Sequence, residues 1–315
     1  MSAANRDPDP DTISRRAERA PGLEWPTLLL AIATYAAWLG ATFSYRSLPL
    51  ALVAPTVAVI LALHGSVQHE ILHGHPSRSV RVNRWLGLWP LSLWLPYTIY
   101  RDTHLAHHRD ERLTDPIDDP ESYYLTPERA RGLGAVRRAG LEAQQTLAGR
   151  MLIGSFWRIG AFLGAEVRAC VRGDPGRRRI WLGHAAAAVP VVLWLKLVCS
   201  MPLWLYVVAM VIPGNGILLI RSFAEHRART RVAERIAIVE RSWVLGPLFL
   251  FNNLHALHHE SPMLPWYEYN AVYRRERDRL LAGNGGLLYR SYFDVARRFL
   301  FRAHDRLEHP DGRVP

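Results

Sequence analysis

Four apolar runs, arranged as two close pairs, constrain the fold of this chain more than any other feature. The first pair covers about 23–43 and 48–65, and the second covers about 180–200 and 203–220. A helix needs about 20 apolar residues to cross a bilayer, and the links within each pair allow only a tight turn. Backbone polar groups cannot be left unpaired in hydrocarbon. The chain is therefore predicted to be an all-α integral membrane protein with four transmembrane helices in two hairpins.

The arginine distribution predicts the orientation of these helices. The two hairpin links contain one basic residue, Arg46, whereas residues 66–179 carry 17 arginines and residues 221–315 carry 16. Positive charge is retained on the cytoplasmic side of a membrane. Both termini and both long segments are therefore predicted to lie on the cytoplasmic side of the cell (inner) membrane.

The net charge of +11 does not point to nucleic acid. The arginines flank apolar runs instead of forming one solvated face, and no nucleic-acid-binding motif is present, so no nucleic-acid partner is predicted. Cys170 and Cys199 lie in or beside apolar stretches. They indicate neither a disulfide framework nor a thiolate metal site.

Histidines recur at helical spacing in three places. Residues at i, i+3 and i+4 share one face of a helix, so their imidazoles can meet at one point. Neutral imidazole is the commonest metal ligand in proteins, and three such groups predict a metal site. The first box contains His69 and His73, the second contains His104, His107 and His108, and the third contains His255, His258 and His259.

His226 joins this set because it follows the fourth apolar run, on the predicted cytoplasmic side with the other boxes. Nine imidazoles exceed the needs of one tetrahedral zinc ion and suit two metal ions, each with an open position. Imidazole binds Fe, Zn, Cu and Ni alike, so the ligands alone do not name the metal. His64 and His75 flank the first box, and either is an alternative ligand there.

These boxes and their spacing resemble the membrane fatty acid desaturase and hydroxylase superfamily. The resemblance extends from about residue 48 to 275, and it includes the residues around the boxes. These are His69-Glu70 with His73-Gly74, Asp102-Thr103-His104, and His258-His259-Glu260-Ser261-Pro262 followed by Pro265-Trp266-Tyr267.

The resemblance implies a function. It implies two non-haem iron ions bound by the nine histidines, O2 as co-substrate, and hydrogen removal from an unactivated C–H bond. Electrons are expected from a ferredoxin, cytochrome or rubredoxin-type donor. We predict a fatty acid or lipid desaturase that takes a lipid or acyl substrate from the bilayer. The alternative is a lipid, acyl, carotenoid or alkane hydroxylase or oxygenase on the same scaffold.

Metal-bound histidines usually donate their second N–H to a carboxylate or carbonyl. Several carboxylates are near the boxes in sequence, among them Asp119 and Glu260, but Asp102 and Glu225 are the preferred candidates. Three further residues are predicted to support the site from nearby, namely Ser222, Asn252 and His75.

Two other functions compete with this prediction. His69-Glu70-Ile71-Leu72-His73 is a literal H-E-x-x-H, the pattern of a zinc metalloprotease with Glu70 as base. That function leaves both H-x-x-H-H boxes unexplained. A metal transporter predicts ligands near the bilayer midplane, whereas these boxes lie beyond the spans.

The remaining segments complete the predicted organisation. Residues 1–22 form a disordered tail, 23–303 the desaturase-like domain with a cytoplasmic helical cap, and 304–315 a C-terminal tail. Residues 85–100 and 151–171 are predicted to be interfacial helices, and 287–301 a basic amphipathic helix.

Overall fold

Four long helices dominate the computed structural model, which describes residues 22–310. Their length and apolar composition are sufficient to cross a membrane, and they confirm the predicted all-α membrane fold. The spans are Trp25–Arg46, Leu50–Leu72, Pro175–Val198 and Leu203–Glu225. The predicted N-terminal tail lies, apart from Gly22, outside the described residues.

The described part of the chain contains the following helices and strands. The helices are α1 (Trp25–Phe43), α2 (Leu50–Leu72), α3 (Val80–Gly87), α4 (Tyr97–His107), α5 (Pro127–Arg131), α6 (Ala135–Ala143), α7 (Leu147–Leu152), α8 (Gly154–Val171), α9 (Pro175–Leu193), α10 (Leu203–Tyr206), α11 (Ile212–Glu225), α12 (Leu245–Leu248), α13 (His255–Glu260), α14 (Tyr269–Gly283) and α15 (Tyr292–Phe299). Short π-helical segments at Trp194–Val198 and Val207–Val211 extend α9 and join α10 to α11. Strands β1 (Ile238–Val239) and β2 (Leu288–Tyr289) pair in parallel.

Helix α2 is longer than the second predicted span. We expected that span to end at about Gly65, but the helix continues to Leu72 and carries His69 within it. Gly65 is tolerated because it faces the fourth span, where an added Cβ would lie 2.7 Å from Leu218 Cδ1. The chain leaves the helix at Gly74, whose φ of 104° suits glycine. The first histidine box is thus a direct continuation of a membrane helix.

The two hairpins are joined at a buried tyrosine. Trp38 of α1 donates its indole N–H to the Tyr206 hydroxyl at 2.9 Å. That hydroxyl donates in turn to the Leu91 carbonyl at 2.6 Å. Buried polar groups of this kind are costly unless paired, so these bonds fix the hairpins and the intervening loop in one arrangement.

Two predicted helices differ from those observed. Residues 85–100 do not form one helix, because Pro90 and Pro96 lie between α3 and α4 and cannot continue a helix. The predicted helix over 287–301 begins only at Tyr292, since Leu288–Tyr289 pairs with β1 instead. Ser291 caps its start by accepting from the Asp294 N–H at 3.1 Å.

Helix α8 carries the features expected of an interfacial helix. Phe156, Val167 and Val171 are largely exposed along it.

The described part of the predicted C-terminal tail packs on the body of the protein. The backbone N–H of His304 donates to the Gln145 carbonyl at 2.7 Å, and the backbone N–H of His309 donates to the Leu125 carbonyl at 3.0 Å.

Candidate metal centre

Four short parts of the chain deliver the nine histidines to one place. They are the end of α2, the end of α4, the residue after α11, and α13. Helix α13 follows a turn whose Asn252 and Asn253 are both buried, and Asn253 donates to the Val239 carbonyl of β1 at 2.6 Å. The small sheet therefore anchors the third box. Seven of the nine imidazoles are buried, and only His108 and His226 are half-buried.

The nine histidines divide into two groups, within each of which the ligand atoms all lie within 4.8 Å of one another. Both H-x-x-H-H boxes contribute to both groups. In each box the i and i+4 histidines belong to one group and the i+3 histidine belongs to the other. Group one contains His69, His73, His104, His108 and His258, and group two contains His107, His226, His255 and His259.

The imidazole nitrogens in each group point at one another. In group one, His104 Nε2 lies 3.2 Å from His73 Nε2 and 3.0 Å from His108 Nε2. In group two, His226 Nε2 lies 2.9 Å from His107 Nε2 and 3.0 Å from His255 Nε2. Two nitrogens that bind one ion at about 2.1 Å, at right angles, are separated by about 3 Å.

The opposite nitrogen of several rings is held by a hydrogen bond. His104 Nδ1 lies 3.0 Å from Glu121 Oε1, and His107 Nδ1 lies 2.9 Å from Asp119 Oδ1. A carboxylate only accepts, so each Nδ1 carries a proton, and each Nε2 is the nitrogen that would present a lone pair to a metal ion. Facing lone pairs repel unless a cation lies between them. The donor set therefore fits two metal ions.

The third box is held in the same way by neutral partners. His258 Nδ1 lies 2.9 Å from the Tyr269 hydroxyl. His255 Nδ1 lies 3.0 Å from Asn252 Oδ1, and the Asn252 amide nitrogen lies 3.2 Å from His69 Nε2. One asparagine thus contacts a histidine of each group.

Burial and mutual repulsion keep most of the ligand imidazoles neutral. The pKa of His258 is held well below its usual range by burial and then by His73 and His108. His259 behaves similarly, with its pKa lowered by burial and by His107 and His104. Only unprotonated imidazole binds a metal, so these rings are in the form that coordination needs.

His107 is the exception among the nine histidines. Burial alone would lower its pKa, but Glu121 and Asp119 outweigh burial and raise the pKa to about 9, so this ring would release a proton on binding a metal ion. Burial would raise the pKa of Glu121, yet His104 and His107 hold that pKa well below its usual range. Glu121 is therefore ionised and adds negative charge where cations are expected.

The structure brings some of the predicted supporting residues to the histidines and leaves others outside. Glu225 Oε1 lies 3.4 Å from His255 Nδ1, and Asn252 contacts two ligands as described above. The Ser222 hydroxyl is directed to another residue, since its Oγ lies 2.8 Å from the Tyr123 hydroxyl. Asp102 is exposed and pairs with Arg101 at 2.7 Å.

Three further residues near the boxes lie outside both groups. His75 pairs with Glu24 at 2.8 Å, which ties the start of α1 to the first box. His64 lies 3.4 Å from the Tyr35 hydroxyl, within the membrane helices. Glu260 is bound by Arg279 at 2.7 Å.

Sequence reasoning missed Glu121 and Tyr269 as histidine partners. Glu121 lies 17 residues from His104, and Tyr269 lies 11 residues from His258. Neither spacing follows a helical or strand period. The turn that returns Glu121 to α4 is held by Asp119, whose carboxylate accepts from the N–H groups of Thr114 and Glu121, each at 2.8 Å.

A cavity of about 500 Å3 opens onto the second group. Its wall includes His107 and His226, and it continues between the membrane helices past Leu61, Val211 and Leu218. A volume of this size is typical of a site for a small organic ligand. The cavity therefore connects the apolar interior of the helices with the histidines.

Comparison with known proteins agrees with this geometry. The sequence model of the fatty acid desaturase family matches residues 46–293, which include all nine histidines and Glu121. No curated protein matches the chain.

Proposed function

This chain belongs to the fatty acid desaturase family, and we propose that it is an O2-dependent di-iron enzyme that desaturates an alkyl or acyl chain of a lipid. The observation that carries this proposal is the division of nine histidines into groups of five and four. The same two helices contribute histidines to both groups, so the two groups lie side by side. This arrangement suits two neighbouring metal ions better than one ion.

The choice of iron follows from the chemistry of the substrate. An alkyl C–H bond offers no handle for proton transfer, so a redox cofactor must supply the oxidising power. Two iron ions held by group one and group two would supply O2 activation close to the bound chain. All protein groups at the site are nitrogen or oxygen donors, which suit iron.

The protein itself supplies orientation and exclusion of water. Glu121, Asp119 and Tyr269 fix the rings of three ligands, so each Nε2 keeps its direction. The buried histidines and the cavity keep bulk water from the reacting carbon. The cavity also accepts an apolar chain directly from between the membrane helices.

We further propose that the site faces the cytoplasm, as the arginine distribution predicts. A soluble ferredoxin, cytochrome or rubredoxin-type donor would then reach it from that side. The two long segments carry 33 arginines, and those of them that are exposed would attract an acidic donor.

Hydroxylation on the same scaffold remains the second candidate, because it shares the first hydrogen removal. The two reactions differ in whether a second hydrogen leaves or oxygen is added.

The zinc protease alternative is not favoured by the position of Glu70. Glu70 accepts from the backbone N–H of Trp266 at 3.2 Å and belongs to neither histidine group, whereas that alternative needs it beside the metal.

Accurate-mass lipid profiling of a bacterial host tests the proposal. We expect a lipid class to lose two hydrogens when the wild-type chain and a suitable donor are expressed, and no change with His258→Ala. His184→Gln is the matched control, because His184 bonds the Leu93 carbonyl at 2.8 Å, away from both groups. A gain of one oxygen would establish the hydroxylase instead.

Metal content provides the independent check. Purified wild-type protein should contain about two iron ions per chain, and His258→Ala should contain fewer. Zinc in place of iron, with no change in any lipid, would overturn the proposed function.

A further inference from the structure

Arg150 is a buried cation without a carboxylate partner among residues 22–310. It is 3% exposed, and its Nε donates to the Gln144 carbonyl at 2.8 Å. Its Nη1 is buried and has no hydrogen-bond partner within the described chain. Burial lowers the pKa of this guanidinium to about 9. A buried charge is costly unless it is paired, so an anion from outside the protein is expected there.

Aromatic rings hold the Arg150 guanidinium in place. It lies 3.6 Å from the centre of the Tyr123 ring and 5.6 Å from that of Phe223. All three residues line the cavity that reaches the second histidine group. Stacking fixes the plane of a guanidinium, so the unused N–H groups keep a defined direction.

A second arginine lies at the same end of the cavity. Arg158 donates to the Tyr123 hydroxyl, and its guanidinium lies 4.6 Å from the centre of the same ring. No ion pair to Arg158 is found among the described residues either. Two guanidinium groups therefore share one tyrosine on the cavity wall.

The carboxylates in the cavity wall are already engaged elsewhere. Glu121 bonds His104 at 3.0 Å and Asp119 bonds His107 at 2.9 Å. Glu225 pairs with Arg221 at 3.1 Å. Among residues 22–310, no carboxylate therefore pairs with the positive charge of Arg150.

Apolar side chains supply much of the remaining cavity wall. Leu61, Trp94, Phe162 and Val211 line the part between the membrane helices. A ligand that fills the whole cavity would place an apolar chain there and an anionic group at Arg150. This distribution matches an amphiphile with a charged end.

We propose that Arg150, assisted by Arg158, binds the anionic headgroup of the lipid substrate inside the cavity. The headgroup carries a carboxylate or a phosphate, which a guanidinium recognises through paired N–H groups. This inference rests on the proposed function, because it takes the cavity as the substrate site. It excludes uncharged hydrocarbons such as carotenoids and alkanes.

Ligand binding to purified, iron-loaded protein in neutral detergent tests the inference without turnover. Trp94 and Trp157 line the cavity, so tryptophan fluorescence reports its occupation. The probes are hexadecanoate, hexadecyl phosphate, hexadecanol and inorganic phosphate. We expect at least one of the two anionic amphiphiles to bind about tenfold or more tightly than hexadecanol, since charged hydrogen bonds contribute that much.

Substitutions identify the residue responsible. Arg150→Gln should remove the preference for the anionic amphiphile and leave hexadecanol binding unchanged, whereas Arg150→Lys should keep part of it. Arg137→Gln, at an exposed position of α6, is the matched control and should bind as wild type. If Arg150→Gln does not fold, Arg158→Gln should show a smaller loss of the same preference.

The possible results separate this inference from the proposed function. Equal binding of hexadecanol and both anions by wild type, or an unchanged preference in Arg150→Gln, would overturn the inference. Tight binding of inorganic phosphate without an alkyl chain would also overturn it, because the site would then serve a soluble anion. Iron content and lipid oxidation in cells are measured in parallel, and their loss in wild type would overturn the proposed function instead.

Discussion

At the level of single residues, a hydrogen-bond partner on an imidazole Nδ1 decides which nitrogen faces the proposed metal position. His104 and His107 lie in adjacent turns of α4, yet they serve different groups and have different carboxylate partners, Glu121 and Asp119. These carboxylates hold each ring in a fixed direction, with Nε2 towards its group. The arrangement of the histidines therefore depends on residues beyond the nine.

Glu121→Ala should weaken iron binding while leaving the fold intact. Loss of such a partner typically reduces metal affinity about 10- to 100-fold. Iron retained after dialysis against a graded chelator series measures the effect. Glu121→Gln should recover most of the affinity, because its amide oxygen can still accept from His104.

Glu260→Ala is the control for this experiment. Glu260 follows the third box directly but is exposed and paired with Arg279. Equal iron loss in Glu121→Ala and Glu260→Ala would contradict the assigned role of Glu121.

His304 should make the stability of the protein depend on pH. Burial is the main cause that lowers its pKa to about 4, followed by the nearby Arg227, while Asp305 acts in the opposite direction. Above about pH 6.5 the ring is neutral in both folded and unfolded chains. Below that pH only the unfolded chain gains a proton, so stability falls as the pH falls towards 4.

His304→Gln should remove this pH dependence. Between pH 6.5 and 5.5 the wild type should lose up to about 1.4 kcal/mol more than the variant. Thermal unfolding of both iron-loaded proteins at pH 7.5 and 5.5 measures the difference. An equal drop in Tm for both proteins would refute the role of His304.

At the level of elements, the close approach of the second and fourth spans places the helix that carries His69 beside the helix that ends just before His226. Gly214 permits this approach, because an added Cβ would lie 2.9 Å from the Ala58 carbonyl oxygen. Alanine usually stabilises a helix by about 1 kcal/mol relative to glycine. Gly214→Ala should instead lower stability by about 1–3 kcal/mol, because backbone must move.

Gly183→Ala is the comparison within α9. No heavy atom lies within 4 Å of the Cβ that this substitution adds. Its unfolding temperature in detergent should equal or exceed that of the wild type. A stabilising effect of Gly214→Ala of the same size would show that the two spans are not in close contact there.

The elements also show how far sequence reasoning extends. Apolar length predicted the four spans, and helical spacing predicted the nine histidines that the fold brings together, because both are local properties. The contacts of Glu121 and Tyr269 with the histidines depend on turns and on packing between separate segments. A periodic sequence pattern does not predict such contacts. The predicted span over 48–65 is shorter than the helix, because the packing of Leu218 on Gly65 joins segments that are distant in sequence.

At the level of the whole molecule, membrane helices, cavity and histidines form one continuous path. Leu218 lies on the cavity wall in the fourth span, beside Gly65 of the second. A larger side chain at this position should occupy the apolar part of the cavity and leave the histidines untouched. A larger side chain at position 218 should therefore change which lipid chain lengths are oxidised and should leave metal binding unchanged.

Leu218→Trp should reduce lipid oxidation by about tenfold or more for long chains, with a smaller loss for short ones, because the reacting carbon is displaced from its position. Iron content should equal that of the wild type. Leu182→Trp, on a 73% exposed position of α9, is the control and should retain full activity. Unchanged product chain lengths in Leu218→Trp, with activity preserved, would mean that the substrate reaches the histidines by another route.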